Sequence, residues 1–254
     1  MKSQEEMKRT GLTIRANPIT LTKEQINFYD DNGYLIVPGV YSEEACEQIK
    51  AVAEEIADDD YSVVLNIHRK VDLFLDLMRD PILVSMIEAV QRHRCVGLNS
   101  QFLYKKAGTA YAKQSWNPHQ DNAYARAKNG TYLQLHIFCD ASDPENGGLY
   151  YYPGSHKEDI LPYEYVSSWK EGFDEKRISH PGWKVVPPTK YKKVDVIGPK
   201  GGVCLQHGNI IHGSYPNLAN YRSRMQYSMA FLNEGVEFKL KGQTSVKIPV
   251  ALRD

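Results

Sequence analysis

Trp116-Asn117-Pro118-His119-Gln120-Asp121 sets an imidazole and a carboxylate two residues apart, just after a proline. In an extended strand, side chains at that spacing share one face. A first-row divalent metal held on one side by two imidazoles and a carboxylate keeps its other positions open to small ligands, as non-haem Fe(II) sites do. His119 and Asp121 would be two of the three donors. Taken alone, the pair also suits an ordinary surface turn. The third donor has to come from a distant strand, and Ile210-Ile211-His212-Gly213-Ser214 offers one: an apolar run that delivers His212, with Gly213-Ser214 expected to turn away. Twelve residues on, Arg224 opens Arg224-Met225-Gln226-Tyr227-Ser228-Met229-Ala230-Phe231. That stretch reads as a strand with a cation at its mouth, and a guanidinium there suits a dicarboxylate, which its planar fork can hold with two hydrogen bonds.

With those residues in view, the chain resembles the phytanoyl-CoA dioxygenase family of Fe(II)/2-oxoglutarate-dependent oxygenases. The matching pieces run from Phe28 to Phe231. They are Phe28-Tyr29-Asp30-Asp31-Asn32-Gly33-Tyr34 with Val37-Pro38-Gly39-Val40, His119-Gln120-Asp121, Glu145-Asn146-Gly147-Gly148-Leu149 with Pro153-Gly154-Ser155-His156, and His212-Gly213-Ser214 with Asn217 and Arg224. Their order is the specific signal. The resemblance implies a mostly β chain with flanking helices: a double-stranded β-helix (jelly-roll, cupin-like) core with N-terminal helices packed on one sheet.

It also implies Fe(II), 2-oxoglutarate as cosubstrate and O2, with His119, Asp121 and His212 on the metal. The far carboxylate of 2-oxoglutarate needs a cation and a hydroxyl, roles that fall to Arg224 and Ser214. Arg222 has the same strand parity and is the rival arginine; Arg224 is preferred because the apolar strand starts directly from it. Gln101 and Lys105 share a face of an earlier strand and are expected to assist, although a solvated lysine would look the same. The implied reaction decarboxylates 2-oxoglutarate to succinate and CO2 and hydroxylates or desaturates an unactivated C–H bond of a small metabolite. Asp121 fills the position that related halogenases leave to chloride. Two other readings are open at this point: a metal-binding jelly-roll scaffold without turnover, and a zinc hydrolase using the same three donors.

The elements that must position these groups are legible in outline. Thr22 and Gln25 form a capping box for a helix to about Asp31, stopped by Gly33. Tyr34-Leu35-Ile36-Val37 reads as a strand, and Ser42 caps a second helix with an apolar stripe of Ala45, Ile49, Val52 and Ile56. Helical periodicity over residues 71–92 is split at Asp80-Pro81. From Cys95 the period changes to strands. Thr131 to Phe138 alternates, with Leu133, Leu135 and Ile137 on an apolar face and Tyr132, Gln134 and His136 on the other. If the apolar face packs on the helices, the other looks into the barrel, which makes Gln134 and His136 candidate substrate-binding residues. Residues 157–190 read as a long excursion over the barrel mouth, Val194 to Leu205 as an interrupted strand, and Val236, Phe238 and Leu240 as an edge strand. His156 reads as structural.

At 254 residues the chain suits one large domain spanning 1–254, with 1–20 as a flexible arm. Lys plus Arg and Asp plus Glu number 31 each, so net charge gives no reason to expect nucleic acid or an anionic membrane as partner. No apolar run reaches membrane-spanning length, and the start is unlike a signal peptide. Cys46, Cys95, Cys139 and Cys204 show no paired spacing, so buried free thiols in a reducing cytoplasm are expected. A small-molecule substrate, polar in preference to lipid, fits the neutral balance and the 17 tyrosines.

Overall fold

The computed structural model describes residues 7–166, 182–239 and 249–253. The first half supplies helices α1 (Lys23–Asn32), α2 (Glu43–Glu54), α3 (Asp72–Met78) and α4 (Pro81–Gln91), with strands β1 (Tyr34–Val37) and β2 (Val63–Leu65) between them. Then come β3 (Cys95–Leu103), β4 (Trp116–His119), the short α5 (Asn122–Ala125), β5 (Tyr132–Phe138), β6 (Leu149–Tyr151), β7 (Tyr163–Val166), β8 (Gly182–Val185), β9 (Val194–Asp195), β10 (Val203–His207), β11 (His212–Ser214) and β12 (Gln226–Asn233). The helix starts follow their sequence signals. Both bonds of the Thr22–Gln25 capping box are present, Ser42 Oγ accepts from Ala45 N–H at 3.1 Å, and Asp80 caps α4 ahead of Pro81.

The strands form a six-stranded antiparallel sheet, β1-β10-β5-β12-β3-β2, a four-stranded one, β4-β11-β6-β9, and the β7-β8 hairpin. Alternation sorts the large sheet into two faces. Leu133, Leu135, Ile137, Leu205, Tyr227 and Met229 pack in one buried cluster with Ile49, Phe74, Leu77 and Ile87 of the helices. The register puts Gln134, Gln206 and Ala230 in one row of the opposite face, and His136, Cys204, Ser228 and Gln101 in the next. That face meets the small sheet, because His212 of β11 reaches Gln206 of β10. The expected jelly-roll with helices on one sheet is therefore what the chain builds.

Several elements differ from the sequence reading. Residues 7–20, expected as a mobile arm, lie along the helices: Thr10 N–H donates to Asp72 (3.0 Å), Ala16 N–H to Asp80 (2.9 Å), and Ile14 is buried in the core. Weak periodicity hid a segment whose partners lie some sixty positions on. The excursion at 157–190 contains the β7–β8 hairpin, while residues 167–181 fall outside the described ones. The strand holding His212 begins at that histidine, so Gly213 and Ser214 lie within it and do not turn away. Glycine is required there because a Cβ at 213 would come within 2.5 Å of the Trp116 carbonyl on the neighbouring strand. No strand is found at Val236 or Phe238, which instead pack beside Leu98 and Tyr132; Leu240 is outside the described residues.

Candidate metal and cosubstrate centre

His119 ends β4, Asp121 sits just before α5 with helical backbone angles, and His212 opens β11, directly opposite His119 in the ladder. Asp121 is thus past the strand, and the turn into α5, not strand alternation, brings it beside His119. The flanking residues pin this turn. Asn122 N–H donates to the Gly208 carbonyl (2.8 Å), its amide donates to Asn209 Oδ1 (2.8 Å), and the Gln120 amide donates to the Asn209 carbonyl (2.8 Å). The loop leading to His212 is thereby tied to the one carrying Asp121.

One donor atom from each of His119, Asp121 and His212 lies within 4.8 Å of the others, and all three residues are buried. His119 Nε2 is 3.3 Å from Asp121 Oδ1 and His212 Nε2 is 3.3 Å from Oδ2. Each imidazole points its Nδ1 at a backbone carbonyl, that of Asn117 at 2.7 Å and that of Ile210 at 3.1 Å. A neutral ring that donates from Nδ1 presents the lone pair of Nε2, which is the arrangement a metal needs. Burial raises the Asp121 pKa, but the imidazoles of His212 and His119 outweigh it and hold the carboxyl at about 2, so it is ionised. Burial, against the pull of Asp121, brings His212 down to about 4 and keeps it neutral. His119 is shifted upward, because its contact with Asp121 exceeds the cost of burial. Two imidazole nitrogens and an anionic oxygen fit a borderline divalent ion such as Fe(II), which would take the place of any proton on His119 Nε2.

Beside this centre lie two buried basic side chains. Lys105 is 0% and Arg224 1% exposed. Lys105 Nζ donates to Ser214 Oγ (2.9 Å) and to the Tyr215 carbonyl. Arg224 donates to the Gly147 carbonyl through Nε (3.0 Å) and one terminal nitrogen (2.7 Å), and to Gln226 Oε1 (3.1 Å). Among the described residues neither has a carboxylate as hydrogen-bond partner, and burial lowers both pKa values: Arg224 to about 10, Lys105 well below its ordinary value with Arg224 adding repulsion. Charging both groups with no carboxylate bonded to either is costly unless an anion arrives. Arg222 is different in kind. It pairs with Asp143 (2.7 Å) and Glu145 (2.6 Å) at the surface. The Lys105 backbone has φ of 30°, held by bonds to its carbonyl from Asn217 Nδ2 (2.9 Å) and Arg224 N–H (3.2 Å). Strain kept in place by such bonds is common where a side chain must be aimed.

The remaining named residues also face the interior. The Gln134 amide donates to Asp121 Oδ2. His136 has both ring nitrogens engaged, Nδ1 with Ser228 Oγ (2.8 Å) and Nε2 with Gln206 Oε1 (3.0 Å). Gln101 shares their face, half-buried, in the row of Ser228 and His136. His156 lies elsewhere, its Nε2 donating to the Asp30 carbonyl at 3.0 Å and its ring 5.0 Å from that of His207. Sequence reasoning missed Gln206, whose amide donates to Asp121 Oδ2 at 2.8 Å. The signal was present: Cys204 and Gln206 alternate with Val203 and Leu205, but the strand was ended at Leu205. It also missed Trp183 of β8, sandwiched between Tyr124 of α5 (centroids 4.1 Å) and Tyr163 of β7 (4.3 Å), which docks the hairpin on the turn bearing Asp121.

A family model described as phytanoyl-CoA dioxygenase matches residues 29–225, most of the chain. The chain belongs to that family. Its iron, 2-oxoglutarate and O2 are accordingly the cofactors and cosubstrates here, and the family's dioxygenase chemistry is an oxidoreductase's. Among individual relatives, a probable alpha-ketoglutarate-dependent hypophosphite dioxygenase of Stutzerimonas stutzeri is 28% identical over 224 residues, covering 79% of this chain and 75% of that protein. The peroxisomal phytanoyl-CoA dioxygenase of Mus musculus is 24% identical over 223 residues, covering 78% of this chain and 64% of that protein. Among solved structures, the epimerase SnoN in complex with Fe3+, alpha ketoglutarate and nogalamycin RO superposes with a TM-score of 0.72 at 17% identity, covering 89% of each chain. The last likeness bears on the fold alone, which it supports.

Proposed function

We propose that this member of the family is a hydroxylase that inserts oxygen into an unactivated C–H bond of a small polar metabolite while 2-oxoglutarate becomes succinate and CO2. The observation that carries the reading is the pairing, within one barrel interior, of a His119-Asp121-His212 donor set with two buried basic side chains, Lys105 and Arg224, that have no carboxylate as hydrogen-bond partner among the described residues. A zinc hydrolase or a non-catalytic scaffold would have no use for the second half of that pair. Iron bound by the three donors would supply oxygen activation. Around it, Arg224 and Lys105 would hold the far carboxylate of 2-oxoglutarate, Ser214 would donate its hydroxyl to the same group, and Gln134 and Gln206 would keep Asp121 turned toward the metal. Gln101, half-buried on the same inner face, would meet the cosubstrate or the substrate.

The preference for a small polar substrate rests on the amide-rich inner rows of the large sheet. We further take the chain as one catalytic unit of the cytoplasm. No described helix is long and apolar enough to cross a membrane, and all four cysteines are free and buried, as in a reducing compartment. A metabolite screen scored by substrate-dependent succinate release identifies the substrate, and mass spectrometry of the product formed under 18O2 tests the reaction. Incorporation of one labelled oxygen atom is expected. An unlabelled product of unchanged mass would mean epimerisation, and a product two hydrogens lighter would mean desaturation.

A further inference from the structure

Arg224 and Asp121, the cationic and anionic ends of the site, are joined by an unbroken series of buried side chains. Arg224 donates to Gln226 Oε1 (3.1 Å), Gln226 Nε2 donates to Ser228 Oγ (3.0 Å), Ser228 Oγ lies 2.8 Å from His136 Nδ1, His136 Nε2 lies 3.0 Å from Gln206 Oε1, and Gln206 Nε2 donates to Asp121 Oδ2 (2.8 Å). Every member is at most 8% exposed. Three of them, Arg224, Gln226 and Ser228, alternate along one strand and its approach, and His136 and Gln206 lie on the two strands next in order.

The ends dictate the direction of every bond. A guanidinium can only donate and an ionised carboxylate can only accept. Gln226 must therefore turn its carbonyl to Arg224 and its amide to Ser228, and the Ser228 hydroxyl, having accepted once, gives its proton to His136 Nδ1. That leaves the His136 proton on Nε2, donated to Gln206 Oε1, so that the Gln206 amide faces Asp121. Tyr151 donates to the same Gln206 oxygen at 2.8 Å and reinforces this orientation. Reversing Gln206 would set donor against donor at His136 and acceptor against acceptor at Asp121, while reversing His136 would set acceptor against acceptor at Gln206 and reversing Gln226 donor against donor at Arg224; only the Ser228 hydroxyl can adapt. A one-way series also strengthens each of its bonds by polarising the next.

We propose that Gln226, Ser228, His136 and Gln206 form a one-way hydrogen-bond relay from Arg224 to Asp121, in which His136 is a positioning residue that fixes the metal-binding carboxylate. The inference rests on the metal assignment above and assigns His136 a partner-holding part in place of contact with substrate. Outer partners of metal ligands commonly set affinity by about 10–100-fold, and an interruption at Ser228, three bonds from Asp121, should lie near the lower end.

The test measures Mn(II) affinity of the protein without 2-oxoglutarate by electron paramagnetic resonance, with circular dichroism as the check on folding. Ser228→Ala, the smallest interruption, should weaken Mn(II) binding by roughly tenfold, His136→Phe at least as much, and Ser228→Thr, which keeps the hydroxyl, should restore it. In 15N spectra the His136 ring should carry its proton on Nε2 in the parent and lose that preference in Ser228→Ala. A loss in folded Ser228→Ala of less than about threefold, or a proton found on Nδ1 in the parent, overturns the relay. Failure of the parent itself to bind Mn(II) overturns the metal assignment beneath it, which is a separate result.

Discussion

Removing the Arg224 guanidinium should cost the protein most of its hold on 2-oxoglutarate, and the surroundings set the size of the effect. The group is fully buried beside Lys105, so a carboxylate bound there would be shielded from water and added salt, and the contact would be charge-assisted on both sides. Such a bond contributes about 1.5–3 kcal/mol, roughly tenfold to over a hundredfold in affinity. Arg224→Ala should therefore raise the 2-oxoglutarate Kd by that factor, with the upper half of the range expected, since Lys105 alone offers no planar fork. The variant also strips the Gly147 carbonyl of both its guanidinium bonds, so a modest fall in Tm is expected as well. Arg222→Ala is the control: its guanidinium serves Asp143 and Glu145 at the surface, and the Kd should change by less than about twofold. The assay is an anaerobic titration of the Fe(II) protein with 2-oxoglutarate. Equal losses in the two variants, or a larger one in Arg222→Ala, would refute the assignment of the buried arginine.

Other perturbations follow from the same geometry. His119→Ala, Asp121→Ala and His212→Ala should each abolish iron-dependent turnover while circular dichroism stays that of the parent; near-parental activity in His212→Ala would move attention to His207 or His156. Asp121→Glu should cut hydroxylation by orders of magnitude and Asp121→Gly further still, without efficient chlorination; parental rates in both would mean that Asp121 is not a ligand. Gly147→Ala should weaken 2-oxoglutarate binding, because a Cβ there, at φ of 89°, would meet the Lys105 side chain at 2.9 Å; unchanged affinity would contradict the placement of Lys105. Burial and then Arg224 depress the Lys105 pKa, so between that lowered value and 10.5 the unfolded chain holds more protons than the free folded protein, whose stability should rise with pH across this window. A carboxylate beside Lys105 restores its proton, so calorimetry in buffers of different ionisation enthalpy should show proton uptake on 2-oxoglutarate binding there; no buffer dependence would count against it.

What could be read from the sequence was whatever short-range rules govern. The helix starts at Thr22, Ser42 and Asp80 depend on residues within one turn of the cap, and the two faces of β5 on strict alternation, so both were legible. Residues 7–20 and the β7–β8 hairpin are held by distant partners, Asp72 and Asp80 for the first and Tyr124 for the second, and no local pattern announces such contacts. At the site, residue type was more telling than position. His119, Asp121 and His212 were found from their chemistry, although Asp121 reaches the metal face by a turn and not by alternation. Gln206 was missed because an amide in an apolar strand has no chemistry of its own until its neighbours Asp121 and His136 are known.

His119, Asp121 and His212 are expected to hold iron next to a 2-oxoglutarate that Arg224 and Lys105 grip. Mixing the purified protein with Fe(II) and 2-oxoglutarate without oxygen tests this directly. A visible metal-to-ligand charge-transfer band should appear with both additions, be absent with Zn(II) in place of Fe(II), and vanish in His212→Ala. A folded parent protein that binds both yet shows no band, or a His212→Ala variant that keeps it, would contradict the central assignment.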